Sequence, residues 1–159
     1  MRPVGALTSV RMHDHDASMA TRNDFCNCFA ARQAARALTR SYERHLAPAG
    51  LTSSQFSILV AIEDRPGIGM RELAEEMVMD RTSLVRALKP LQRDGLVAVA
   101  ASADDPRQNV YVLTPAGLAK SAQAGELWAQ AQAEFVSKFG GESAAEAARE
   151  AFHRMGQMG

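Results

Sequence analysis

Positions 82 to 93 carry polar side chains at intervals of three or four residues, and their types suit contact with a polyanion. When the segment is projected as an α-helix, Thr82, Arg86, Lys89 and Arg93 fall within one narrow arc, and the leucines fall on the opposite side. A major groove of DNA admits one α-helix, in which Arg86 can contact guanine and Thr82 can reach a base or a phosphate. The same pattern is also typical of a solvated helix surface.

Residues beside this stripe extend the same chemistry. Arg81 projects nearer the apolar flank, but its long side chain can reach a backbone phosphate, and Ser83 can donate a hydrogen bond. Further on, "DPR" places Arg107 at a predicted hairpin tip, with Asp105 two residues earlier able to orient it. An arginine in that position suits insertion into a narrow minor groove.

The two cysteines, Cys26 and Cys28, suit a different chemistry. They stand at the predicted start of a helix with Arg32 one turn onward, a setting that favours thiolate formation and oxidation. Two cysteines separated by one residue of a helix cannot readily bridge each other. A small buried core residue is the alternative for Cys28, which shares an apolar face with Phe25.

Other candidate sites carry weaker signals. His13 and His15 in "HDHD" can chelate a metal if ordered, but a tail without function is the more usual meaning. His45 and His153 each line a ligand pocket or face solvent. Trp128 and the methionines are interpreted as core and dimer packing, and no cofactor is expected. The methionines in question are Met77, Met79 and Met155.

Composition bounds the class of protein. With 159 residues, of which 6% are aromatic, the chain is expected to form one mainly helical domain, or a small domain with helical extensions. No apolar run has the roughly 20 residues that span a bilayer, so we expect a cytosolic protein without a membrane partner. The zero formal net charge argues mildly against nucleic-acid binding, which must therefore depend on local clustering.

Hydrophobic periodicity and capping residues predict six helices and a hairpin. The first helix is expected at 24–46, the second from a Thr52–Gln55 capping box onward, and the third at 70–77. The fourth is expected to begin after the Asp80 cap and to end at Gly95. The fifth is expected from Thr114-Pro115 to about 139, and the sixth from a Ser143–Glu146 capping box onward. Strands at 96–100 and 110–113 enclose the loop 101–109, and 63–69 is predicted to be a turn. Pro90 predicts a bend near Lys89 or, alternatively, an early helix end.

These elements predict a mainly α fold with a small β-hairpin wing. Residues 49–114 are expected to form a winged helix-turn-helix region, which is flanked by the long helices in 23–48 and 115–157. Residues 1–22 mix Pro, Gly, His and Asp without periodicity and are interpreted as a flexible leader, of which part need not belong to the natural product.

Together these motifs resemble the MarR family of winged-helix transcription regulators, over about residues 24 to 156. The resemblance is carried by "LTSSQFSIL", "MRELAEEMVMDRTSLVRALKPLQRDGLV" and "DPRQNVYVLTPAG". It implies a homodimeric regulator that binds double-stranded DNA at a palindrome, with the helices in 23–48 and 115–157 as its dimerisation region. Members are usually repressors released by small aromatic compounds or by oxidation, and a small organic ligand, for example a phenolic one, is expected for this chain. Carried over by position, Arg81, Thr82, Ser83 and Arg86 contact the major groove, Arg107 contacts the minor groove, and Asp105 holds Arg107; Lys89 is less secure.

The resemblance leaves the signal open. Peroxide-sensing members carry a reactive cysteine at the place of Cys28, although this chain lacks the paired tyrosines that such members place nearby. A redox switch through Cys28 or Cys26 is therefore the first alternative to ligand control. A thiol enzyme and a helical interaction module that does not bind DNA are lower alternatives, since no histidine stands near the cysteines in sequence. The chain is accordingly expected not to be an enzyme.

Overall fold

The computed structural model describes residues 23–102, 105 and 107–158. In chain order the elements are α1 (Asn27–Leu46), a 3-10 turn (Ala47–Ala49), α2 (Ser53–Asp64), β1 (Ile68–Gly69), α3 (Met70–Glu76), α4 (Arg81–Arg93), β2 (Val97–Ala101), β3 (Asn109–Leu113), α5 (Pro115–Phe139) and α6 (Glu142–Gly156). The chain divides into two compact units, 1–36 and 37–159, so α1 begins in the first and ends in the second. Of the first unit, the described part is a turn followed by the opening of α1.

Side-chain caps begin three helices where the sequence predicts them. Thr52 and Gln55 form the predicted capping box of α2, at 3.2 and 2.9 Å. Asp80 caps α4, and Thr114 caps α5 with Pro115 at the first helical position. Two boundaries differ from the prediction. Helix α1 begins at Asn27 rather than at residue 24, and α6 begins at Glu142 after Gly141, without a Ser143 cap.

The sheet has three antiparallel strands in the order β1-β3-β2. Strands β2 and β3 form the predicted hairpin, with Val99 opposite Tyr111. The prediction of 63–69 as a turn alone was wrong at both ends. Helix α2 continues to Asp64, and Ile68 pairs with Tyr111 and Gly69 with Val110. A strand of two residues has no periodicity to detect, and only the neighbouring β3 completes its ladder.

The hydrophobic core lies between the helices and the sheet within the second unit. Its largest fully buried side chains come from four helices: Leu46, Ile58, Leu59, Ile62, Leu73, Leu84, Leu88 and Leu91. Helix α2 lies at its centre, in contact with α3, α4, α5 and β3, which explains why its apolar residues do not form one narrow stripe. Ser121 on α5 donates a hydrogen bond of 2.5 Å to Glu63 and ties α5 to α2.

Backbone features at two short connections position the wing and α4. Gly117 packs so tightly that a Cβ there would lie 2.1 Å from the carbonyl oxygen of Leu96, so α5 begins directly against the start of β2. Between α3 and α4, Val78 has a φ of 49°, an unusual backbone conformation for a β-branched residue. Helix α4 continues through Pro90 to Arg93, so the alternative of an early helix end is wrong.

Candidate nucleic-acid interface

Helix α4 presents two chemically different faces. Leu84, Leu88 and Leu91 are at most 1% exposed and anchor the helix in the core. The predicted stripe on the other side, formed by Thr82, Arg86, Lys89 and Arg93, is exposed along the whole helix. Arg93 at the far end is engaged with its neighbour, since its Nε donates to Asp94 at 2.8 Å. The three other side chains therefore form the accessible polar surface of α4.

The first turn of α4 is held by Asp80. Its carboxylate accepts the backbone N–H of Ser83 at 2.9 Å and the hydroxyl of Ser83 at 2.6 Å. The hydrogen bond from the Ser83 hydroxyl is the largest cause that lowers the pKa of Asp80, and backbone hydrogen bonds lower it further. The cap is therefore ionised at neutral pH. The Ser83 hydroxyl donates to Asp80 in the unbound chain, and its contact with DNA stays a prediction. The adjacent Arg81 and Thr82 are exposed.

At the wing, Arg107 is exposed and Asp105 shapes the loop that carries it. The Asp105 carboxylate accepts the backbone N–H of Arg107 at 3.0 Å and the side-chain amide of Gln108 at 3.2 Å. The sequence-based expectation had Asp105 orienting the arginine side chain. The contact between these two residues instead fixes the backbone of Arg107, as in an Asx turn, and leaves the guanidinium free of Asp105.

A groove of about 1150 Å³ joins the start of α3, the start of α4, the wing and the end of α6, and two glutamates of α3 are among its lining residues. Arg71, Arg81 and Arg107 all line it, as do Gln108 and Tyr111. Burial raises the pKa of the Tyr111 hydroxyl, and the positive charge of Arg81 opposes that rise. Sequence reasoning missed Arg71, although a single arginine beside the apolar face of "MRELAEEM" was a signal that could have found it.

The cysteines lie outside the core. Cys28 is exposed and Cys26 is half-buried, so the interpretation of Cys28 as a packed core residue was wrong. Because α1 begins at Asn27, Cys26 precedes the helix and its sulfur accepts the backbone N–H of Phe29 at 3.4 Å. The argument that helix geometry prevents a bridge between the two cysteines therefore does not apply to Cys26. His13 and His15 lie outside the described residues.

A second cavity, of about 640 Å³, lies between α2, the end of α3, α5 and α6. Its walls combine apolar and polar side chains: Phe56, Ser57, Val60, Ala61, Glu76, Met77, Trp128 and His153. His153 thus lines a cavity, and Trp128 is 41% exposed rather than a core residue of the single chain. Met155 is also largely exposed, whereas Met77 and Met79 pack against the core.

The other histidine of the described segment is engaged with its neighbours. One ring nitrogen of His45 lies 3.0 Å from the Ser41 carbonyl and the other lies 3.0 Å from the Glu134 carboxylate. Arg44 and Lys138 also contact Glu134, and hydrogen bonding by Lys138 holds the pKa of Glu134 below its usual value. His45 therefore joins α1 to α5 and does not line the cavity.

Comparisons with known proteins bear on the family to which this fold belongs. A model of the MarR family matches residues 49–108. The transcriptional regulator MosR of M. tuberculosis, solved in complex with DNA, is 39% identical with a TM-score of 0.73, over 83% of this chain and 94% of that chain. The chain belongs to the MarR family. Its helices and three-stranded sheet are those of a MarR winged-helix protein.

Two further relatives bear on the extent of the match. The HTH-type transcriptional regulator TtmR of Methylorubrum extorquens is 33% identical over 90 residues, which are 57% of this chain and 46% of that protein. The chain thus spans about half the length of the curated relatives it matches first. CouR from Rhodococcus jostii RHA1, solved with p-coumaroyl-CoA, has a TM-score of 0.73 over 83% of this chain and 92% of that one. At 19% identity it supports the MarR fold alone.

No described helix is both long and apolar enough to cross a membrane. Within the same part of the chain, no group of three or more His, Cys, Asp or Glu side chains could hold a metal ion.

Proposed function

We propose that this MarR-family protein is a sequence-specific DNA-binding transcription regulator that acts as a homodimeric repressor of a palindromic operator. The observation that carries the proposal is the exposed Thr82–Arg86–Lys89 face of α4, anchored by a fully buried leucine face and flanked by the Arg107 wing. MosR, a relative 39% identical, was solved on DNA, which supports the same use of this surface.

In this proposal the interface residues have different tasks. Arg86 contacts a base edge in the major groove, and Thr82 contacts a base or a phosphate. Arg81 and Lys89 contact phosphates, and Arg107 enters the minor groove. Ser83 and Asp105 act through hydrogen bonds that hold α4 and the wing loop, which follows from the partners they have in the unbound chain.

The dimer is proposed from apolar surface that one chain leaves uncovered. Trp128, Phe139, Phe152 and Met155, all on α5 and α6, are between 41% and 50% exposed. A second copy that covers them would place two α4 helices on one face, and a half-site separation of about 34 to 36 Å fits successive major grooves.

The effector is proposed to be a small organic molecule, phenolic for example, bound in the cavity beside Trp128. Met77 and Phe56 supply adaptable apolar walls, and His153 and Ser57 supply polar groups that orient a ligand. The cavity is bounded by α2 and α3 on one side and by α5 and α6 on the other, so ligand binding there can change the separation of the two α4 helices. CouR, with the same fold, was solved with an aromatic acyl-CoA.

Selection of sheared genomic DNA on reduced protein, followed by sequencing, tests the proposal. We expect one enriched inverted repeat. Arg86→Ala is expected to lose about 1 to 3 kcal/mol of discrimination at one base pair, and Arg107→Ala to weaken binding more generally. Arg154→Ala, which removes an exposed arginine of α6, is the matched control. Diffuse, salt-sensitive retention of all fragments would contradict sequence-specific recognition.

A thiol switch is the second candidate, favoured by the exposure of Cys28 and by the position of Cys26 ahead of α1. Under this alternative, mild peroxide releases the operator, and Cys26→Ser or Cys28→Ser abolishes that release. Release by a phenolic acid, with operator binding retained after peroxide, would exclude it.

A further inference from the structure

The groove between α3, α4 and the wing brings together three arginines from separate segments of the chain. Arg71 stands in the first turn of α3, Arg81 in the first turn of α4, and Arg107 in the wing. They are separated by 10 and 26 positions in sequence, so only the fold gathers them on one surface. We propose that Arg71 is a further DNA contact, which binds a backbone phosphate between the major groove and the minor groove. This proposal rests on the proposed function.

The carboxylates that line the groove do not pair with Arg71, so its positive charge is available to bind an anion. Glu72 accepts the backbone N–H of Gly69 at 3.0 Å and so serves as a helix cap. Among the described carboxylates, none lies within ion-pair distance of Arg71. Arg65, a few residues earlier, shows the contrast because it is paired with Glu76. Arg71 is also exposed, so its charge can meet a phosphate that approaches from solvent.

The position of Arg71 follows from the path of the DNA backbone. If α4 enters a major groove and the wing reaches the adjacent minor groove, the strand between those grooves must cross the surface between α4 and the wing. Arg71, Arg81 and Gln108 line that surface. A phosphate contact fixes register and carries no sequence information, so Arg71 serves affinity and Arg86 serves specificity.

The test compares binding of a selected operator and of a scrambled duplex by Arg71→Ala over a range of salt concentrations. We expect roughly a tenfold loss of affinity for both duplexes, the size of a lost charged hydrogen bond. The slope of log K against log salt should fall by about 0.9, and the ratio of the two affinities should not change. Arg71→Lys should retain the slope, and Arg154→Ala is the control.

Each other outcome has a defined meaning. An unchanged slope and affinity for a folded Arg71→Ala protein, checked by circular dichroism, would overturn the proposal. A changed ratio of specific to non-specific affinity would also overturn it, because it would indicate base readout by Arg71. If the wild-type protein itself selects no operator, the proposed function fails first, and the slope measured on any duplex still decides whether Arg71 binds phosphate.

Discussion

Asp80 shows how one carboxylate prepares α4 for its task. Its two oxygens bind the N–H and the hydroxyl of Ser83, and those bonds lower the pKa of Asp80 below 3.8. Since the folded-state pKa lies below the unfolded-state value, the stabilisation is complete above that value and is lost as pH falls through the folded-state pKa. We expect Asp80→Ala to unfold at lower urea concentration than wild type at pH 7, and this difference to shrink below about pH 3.8.

Ser83→Ala is the matched variant at this residue scale. It removes the largest cause of the shift but keeps the backbone bond, so the Asp80 titration midpoint should rise part of the way toward 3.8. Carbon-detected NMR of the Asp80 carboxyl measures that midpoint directly. A midpoint in Ser83→Ala equal to that of wild type would contradict the role given to the hydroxyl.

At the scale of elements, substitutions at two glycines of α5 distinguish the effect of close packing on stability from the effect of helix propensity. A Cβ at Gly117 would meet the carbonyl oxygen of Leu96 at 2.1 Å, whereas a Cβ at Gly125 would meet nothing within 4 Å. We expect Gly117→Ala to lower the free energy of unfolding by about 2 kcal/mol or more, because α5 must move away from β2. Gly125→Ala should instead raise it by about 0.5 to 1 kcal/mol.

Urea unfolding of both variants at one protein concentration checks this prediction. The wing depends on the α5 junction, so Gly117→Ala should also weaken DNA binding, and Gly125→Ala should leave it unchanged. Equal stabilities for the two variants would mean that α5 does not pack on the start of β2 as this structure has it.

At the scale of the whole molecule, the proposed binding surfaces follow from where charged and apolar side chains lie, and not from the total charge or the total apolar content. The formal net charge is zero, but three arginines share one groove, and five large apolar side chains of the described α5 and α6 are exposed. We expect a dimer in solution that Phe152→Asp weakens by about a hundredfold, since an unpaired charge in an interface costs roughly 3 kcal/mol. Glu146→Gln, an exposed change on the same helix, should leave the dimer intact.

Analytical ultracentrifugation over a range of concentrations measures this dissociation constant. Operator affinity should fall with dimer stability, because each chain binds half of the palindrome. A Phe152→Asp protein that remains a dimer and binds the operator normally would show that α6 is not at the interface.

The sequence by itself determined the helices, the caps and the polar face of α4. Local patterns were sufficient because the leucines of α4 repeat with the helical period, and Thr52, Asp80 and Thr114 cap through contacts with residues only three positions away. For the same reason the hairpin strands and the MarR resemblance are recognisable from the sequence alone. At Ser143 local spacing was not sufficient, because it fitted a capping box while the helix in fact has Gly141 as its N-cap and begins at Glu142.

The tertiary structure decided everything that joins distant segments. Strand β1 has two residues and exists because Tyr111, far along the chain, completes its hydrogen bonds. The gathering of Arg71, Arg81 and Arg107 on one groove, and the exposure of Cys28 and Trp128, depend on how the helices pack. Sequence periodicity specifies which face of an element is apolar, but not which other element covers it, because that choice is made by packing between residues far apart in the chain.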